Sequence, residues 1–180
     1  MSRPCSRMIV FGGNQVCAGL SASKEIQVAT VYRLRVSMVG FSGLYRILDV
    51  ASDATFANLH DAIFCAFDRD DPHLYSFYMT GIDTKDVRRI RQAREIPAQE
   101  AGVGDGLLGF TGSGSSAKKA RIGDVELDEG DVVHYLFDYG DEWWHRIRVE
   151  AITESDARKK KGIVLVKSVG ASPAQYPEFD

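Results

Sequence analysis

The four histidines of this chain, His60, His73, His134 and His145, and the carboxylates nearest them are the residues with most to offer acid–base or metal chemistry. Two of them lie in the stretch 130–151, GDVVHYLFDYGDEWWHRIRVEA, with Asp138 and Asp141 between. VVHYLFDY and WWHRIRVEA are rich in β-branched and aromatic residues, and Gly140-Asp141 is the kind of two-residue connection that primed hairpin turns favour, so the stretch predicts a β-hairpin. With those two residues in the turn, Asp138 faces Trp143, Leu136 faces His145, His134 faces Ile147 and Val132 faces Val149, all on one side of the ribbon. Asp138 and His145 become diagonal neighbours, and a carboxylate orienting an imidazole is a recognisable functional arrangement. The plainer reading is that Asp138 caps the turn by accepting backbone amides, while His145 is a half-buried histidine satisfied by a carbonyl, and the residue types favour it.

Asp138, Asp141, His145, His60 and His73 are therefore the catalytic candidates. A metal site built on them would need three N or O ligands converging to ~2.0–2.2 Å, and no metal or cofactor is assigned. The opposite face of the expected hairpin carries Val133 with Tyr135, Phe137, Trp144, Arg146 and Arg148, an alternation of aromatic anchors and arginines suited to binding a partner. Arg33 and Arg35 of an earlier strand adjoin it in this reading.

The elements that must position these groups follow from periodicity. Residues 1–26 hold no sustained period and read as a flexible arm; residues 27–180 read as one domain. ATVYRLRVSMV, from Ala29 to Val39, alternates as a strand, and LYRILDV, Leu44 to Val50, is a second, antiparallel to it. Thr55 is placed to cap a helix whose Phe56, Leu59, Ile63 and Phe67 recur at helical spacing, with Cys65 on its core side and His60 on the shoulder of the stripe. The acidic turn Asp68 to His73 lacks EF-hand spacing and reads as solvated. LYSFYMT, Leu74 to Thr80, is a third strand. Asp83 to Glu95 predicts a short basic helix with Val87 and Ile90 inward and Arg88, Arg89, Arg91 and Arg94 available to phosphate, although a charge run is more often a solvated face. The Gly/Ser-rich stretch 102–119 reads as a loop, and its G-x-G-x-x-G at Gly104, Gly106 and Gly109 has neither the strand before it nor the helix after it that a dinucleotide site needs. Ile122 to Leu127 is a turn or short strand, Glu154 to Lys161 a charged connection, Gly162 to Val169 a short buried strand that closes the sheet, and the tail from Gly170 lies over the surface. The class is α+β: a mixed, mostly antiparallel sheet in the order β-β-α-β, then hairpin and β, packed by one main helix.

Composition narrows the partners. With 180 residues, 44% hydrophobic and 26% charged, the chain suits a globular domain, and a net charge of -3 gives no global attraction to nucleic acid or anionic membrane. Cys5, Cys17 and Cys65 form no metal-binding spacing, and a reduced, cytoplasmic setting is the economical expectation. The glycines interrupt the apolar run near the N-terminus before it reaches signal-peptide length, and no stretch approaches the ~20 apolar residues of a membrane helix.

The segments YRLRVSM (32–38), TFANLHDAIFCAF (55–67), HLYSFYM (73–79), YLFDYGDEWWHRIRVEAI (135–152) and VGASPAQYPEFD (169–180) resemble a bacterial and archaeal family first described from an open reading frame of a root-inducing plasmid, whose members are also labelled passenger TnpR proteins of insertion elements. The Tyr-x-Phe-Asp-Tyr-Gly-Asp-x-Trp-x-His block from Tyr135 is the most specific piece. Asp68-Arg69 stands where the family usually has Gly-Trp, and the proline and tryptophan usual before the second strand are replaced around Gly43 to Tyr45. The resemblance implies a small α+β domain of a plasmid or mobile-element protein. Neither the nucleophile-serine signature nor the C-terminal helix-turn-helix of a serine recombinase is read in the sequence, so resolvase activity is not expected, and no catalytic motif is complete. A binding module with a protein partner is the expectation, with a His/Asp enzyme or metal site and nucleic-acid association as the rival readings.

Overall fold

The computed structural model describes residues 28–99, 115–156 and 162–176. The expected arm at 1–26, most of the Gly/Ser-rich loop with its G-x-G-x-x-G, and the end of the tail lie outside them.

Among the described residues, seven strands form one antiparallel sheet in the order β4-β3-β5-β6-β1-β2-β7. They are β1 (Val28–Met38), β2 (Tyr45–Ala51), β3 (Tyr75–Met79), β4 (Arg94–Pro97), β5 (Val132–Phe137), β6 (Trp143–Asp156) and β7 (Ile163–Val169). The main helix, α1 (Phe56–Ala66), covers one face, as the α+β class requires. Thr55 caps it: its hydroxyl accepts from Asn58 N while the Asn58 side chain accepts from Thr55 N. The next amides are taken by the chain itself, since Phe56 N donates to Ala120 O and Ala57 N to Ala117 O.

The helical stripe Phe56, Leu59, Ile63 and Phe67 is buried against Tyr32, Leu34, Val36 and Met38 of β1, Leu48 and Val50 of β2, Phe77 of β3, Tyr135 and Phe137 of β5, and Ile147 and Val149 of β6. Each fully buried Leu, Ile or Phe contributes about 1.5–3 kcal/mol, so this inner face holds most of the fold's stability. A second helix, α2 (Val87–Gln92), covers only one end of the outer face, where Ile90 packs with Tyr78 and Leu136.

Several local expectations are corrected. Asp83 to Glu95 is not one helix: it ends at Gln92, and Arg94 opens β4, an edge strand among the described residues, where Pro97 needs no ladder amide and its carbonyl accepts from Ala117 N. Val87 is exposed and only Ile90 turns inward. Cys65 is exposed, on the side of α1 away from the sheet. The end of the expected glycine-rich loop is packed, with Ser116 and Ala117 buried, and Gly123 passes so close to Ser52 that an added Cβ would meet Ser52 Cβ at 2.9 Å. β6 runs on through Glu154 to Asp156, where a connection was expected. β7 does close the sheet, but as an edge strand with Val164, Leu165 and Val166 about half exposed rather than buried.

Candidate functional site

The hairpin forms, in a different register. Its last pair is Phe137 with Trp143, followed inward by Leu136 with Trp144, Tyr135 with His145, His134 with Arg146 and Val133 with Ile147. The loop is thus Asp138 to Glu142 rather than Gly140-Asp141. Asp138 and Glu142 themselves take left-handed backbone, at φ 58° and 51°, a role open to aspartate and unavailable to most residues. Asp138 Oδ1 accepts from Gly140 N at 2.8 Å and Asp141 N at 3.4 Å, and this local bonding starts the turn one residue earlier than the Gly-Asp signal suggests. Shifting the pairing by one residue exchanges the faces of one strand relative to the other. Tyr135 and Phe137 therefore join His145 on the inner face under α1, while His134 joins Trp144, Arg146 and Arg148 on the outer one.

The expected diagonal pairing of Asp138 with His145 is not present. Asp138 bonds its own turn, and its other carboxylate oxygen lies 3.5 Å from His73 Nε2. His145 is buried between Phe67 and Tyr135, where its Nδ1–H donates to Trp143 O at 3.1 Å. Burial pushes its pKa down to about 3, helped by the nearby Arg69 cation, so the ring is neutral. Asp138 thus follows the plainer reading of the sequence, whereas His145 is fully buried rather than half-buried, with a carbonyl on Nδ1 and no partner on Nε2 among the described residues. Asp141 is exposed in the loop. His60 stacks on Tyr75 at 3.6 Å between centroids and shares a 2.7 Å hydrogen bond with the Tyr135 hydroxyl. Desolvation lowers its pKa to about 4 and raises that of Tyr135 well above the usual tyrosine value. This dyad is held neutral at the margin of the core, Tyr135 buried and His60 half-buried. His73 lies at the surface, 2.7 Å from Tyr176 Oη, which in turn donates to Asp71 Oδ2 at 2.7 Å; the bond to Asp71 lifts the Tyr176 pKa to about 12. His60, His73 and His145 surround Tyr135 and Phe137 without converging, and no group of three or more His, Cys, Asp or Glu among the described residues is arranged to hold a metal.

The outer face is different. Between the β1–β2 turn and the segment leading into α2 lies a groove of about 550 Å³. Its floor is Arg35, Ser37, Tyr45, His134, Trp144 and Arg146; Val39 to Leu44 form one wall, and Asp83, Thr84, Lys85, Val87 and Ile90 the other. Arg35 lies 3.5 Å over the Tyr45 ring and 3.7 Å from Glu150. Arg146 pairs with Asp83 at 2.7 Å, and Trp144 packs on Tyr78. The aromatic and arginine surface expected on this hairpin is therefore split: Trp144, Arg146 and Arg148 are on the outer face with Arg33 and Arg35, whereas Tyr135 and Phe137 are core residues, and Tyr45 supplies an aromatic ring on the floor instead. Arg91 pairs with Glu142 at 2.6 Å, Arg88 and Arg89 are exposed on α2, and Arg94 is exposed on β4. These four do not line the groove.

His134 fastens one wall to the floor. Its Nε2–H donates to Thr84 O at 3.0 Å, and Nδ1 lies 2.9 Å from Thr80 Oγ1, so both ring nitrogens are used. Replacing His134 with Phe, which keeps the bulk and removes both bonds, should cost about 1–3 kcal/mol. It should also raise amide exchange in Thr80 to Lys85 more than in the strands. Unchanged exchange there would show that the wall is held by other contacts.

A family profile described as plasmid pRiA4b ORF-3-like protein matches residues 30–175. The chain belongs to this family. A crystal structure of a protein of unknown function from Methanosarcina mazei Go1 is similar to the plasmid ORF-3-like chain at 25% identity and a TM-score of 0.61, over 82% of this chain and 73% of that one. No curated protein matches it. In this plasmid ORF-3-like domain, sequence reasoning missed two buried arginines. Arg46 sits under the end of α1, and Arg69, within the supposedly solvated acidic turn, lies 4.2 Å over the Trp143 ring and donates to Pro173 O at 3.0 Å. Gln175 is also buried, receiving Asp70 N and Asp71 N on its carbonyl and donating to Asp71 O. Arg46 had one legible signal: it occupies a position whose alternation with Leu48 and Val50 assigns it to the inner face.

Proposed function

We propose that this plasmid- and mobile-element-associated domain is a binding module and that the outer-face groove receives a segment of a partner protein. The observation that carries this reading is the division of labour between the two faces. The histidines and tyrosines on the inner face are buried or spent on local bonds, whereas the groove gathers Trp144, Tyr45, Arg35, Arg146 and Lys85 around open space. Its volume of about 550 Å³ lies within the ~300–1,000 Å³ usual for ligand sites, and tryptophan, tyrosine and arginine are the residue types that dominate binding energy at interfaces.

Ser37 supplies the test. It is half-buried on the floor, facing Tyr45 on one neighbouring strand and Arg146 on the other. Ser37→Trp fills the floor from a surface position and should leave the melting temperature close to that of the wild type. Peptides selected from a random displayed library against the wild-type domain should bind this variant at least about tenfold more weakly, a loss of ~1.4 kcal/mol. A library that yields no binders, or binders indifferent to Ser37→Trp, would overturn the reading.

A further inference from the structure

We infer that the segment the groove receives is acidic, with apolar side chains among its carboxylates. The inference rests on the groove being the working surface and adds the chemistry of its occupant. Charge complementarity is the first argument. Arg35, Lys85 and Arg146 face the groove against one carboxylate, Asp83, in a protein whose net charge is -3. The local sign therefore opposes the global one, and such inversions steer oppositely charged partners to one spot. Among the described residues Lys85 makes no ion pair, and Arg35, stacked over Tyr45, has one long ion pair, its 3.7 Å approach to Glu150, so both cations have capacity for a new carboxylate. Arg148, in the neighbouring pair of β6 and exposed, extends the positive strip past the groove.

The apolar surroundings decide the size and class of the partner. Val39, Phe41 and Val87 line the walls and remain 53%, 42% and 42% exposed. A small anion seated on the floor would leave them wet, whereas a peptide segment buries them while its acids meet the cations. Nucleic acid is disfavoured by the same inventory: it rewards many uncommitted cations along a phosphate track, and here Arg146 is held by Asp83 and Arg91 by Glu142.

Short synthetic peptides alternating Glu with Leu and Phe, their Gln and Lys counterparts, and oligo-dT are the probes, each fluorescently labelled and titrated with the intact domain. The Glu peptide should bind, with affinity falling as salt is raised. Lys85→Glu should weaken it by about tenfold, because an attraction becomes a repulsion, and Asp83→Asn should tighten it by about threefold, by removing the opposing carboxylate and releasing Arg146. Both positions are exposed, so neither variant threatens the fold. If the Gln peptide binds as tightly as the Glu peptide and is lost in Ser37→Trp, the groove is the site and its acidic preference is wrong. Binding of the Glu peptide that Lys85→Glu and Ser37→Trp both leave untouched overturns the groove as well. Preferential binding of oligo-dT, weakened by Lys85→Glu, replaces the acidic protein segment with nucleic acid as the occupant.

Discussion

Acidification from about pH 7 to about pH 4 should cost the domain on the order of 5 kcal/mol, enough to unfold a protein of ordinary stability. The cause is two desolvated neutral imidazoles, His145 fully buried and His60 half-buried. Desolvation lowers His60 to about 4 and His145 to about 3, against a value of about 6.5 for an exposed histidine. Above pH ~6.5 both are neutral in the folded and unfolded chain alike, and their contribution is fully present. Below it the unfolded chain takes up protons that the folded one refuses, so stability is lost as the pH falls, until the folded groups themselves titrate near 4 and 3. His134, also lowered by burial, adds in the same direction. Urea midpoints measured across this range should fall steadily below pH ~6.5, and His60→Phe should reduce the slope. A flat stability between pH ~6.5 and ~4.5 would contradict the burial of these rings.

Arg46→Met should be the most damaging single substitution outside the apolar core, at about 3–5 kcal/mol. The guanidinium is 2% exposed and donates to Ala66 O at 2.6 Å, Tyr45 O at 3.0 Å, Val169 O at 2.8 Å, Gly170 O at 3.2 Å and Ser172 Oγ at 2.8 Å, over the ring of Phe67. It joins the last turn of α1, the edge strand β7 and the segment after it. Replacing a buried ion with a hydrophobe is often harmless when its partners are replaced as well. Here the partners are mainly backbone carbonyls that stay behind, each costing about 1–3 kcal/mol if left dry, with water recovering part of the sum. Desolvation of the cation, which lowers its pKa, is the opposing cost that Met would relieve. Four abandoned carbonyls and a hydroxyl outweigh it. Chemical denaturation gives the answer, and a loss below about 1 kcal/mol would show that the clamp is ornamental.

The helix and the inner face were legible because they depend on patterns longer than any one residue. Phe56, Leu59, Ile63 and Phe67 hold a helical period through about three turns, and Tyr32 to Met38 alternate without interruption. What failed depended on single residues. The hairpin's register hinged on whether Asp138 ends a strand or begins a turn, and a side chain that bonds Gly140 N decided it against the Gly140-Asp141 signal. That one-residue shift moved Tyr135 and Phe137 into the core and dissolved the expected Asp138–His145 pair, while Trp144, Arg146 and Arg148 kept the outer face. The groove itself was not legible, because its walls come from the β1–β2 turn and the approach to α2, and no local period brings those segments together. Arg69 was hidden for a similar reason: acidic neighbours at 68, 70 and 71 read as a solvated turn, yet the carbonyl of Pro173 draws its guanidinium inward.

The direct test of the groove is a residue-by-residue map of where the Glu, Leu and Phe peptide sits, from amide and indole NMR shifts of the labelled domain during titration. The largest shifts should fall on Ser37 to Tyr45, on Asp83 to Ile90, and on the Trp144 indole, with His60 and Tyr135 beneath α1 unchanged. Shifts concentrated on α1 or along the exposed edge of β7, with Trp144 silent, would contradict it.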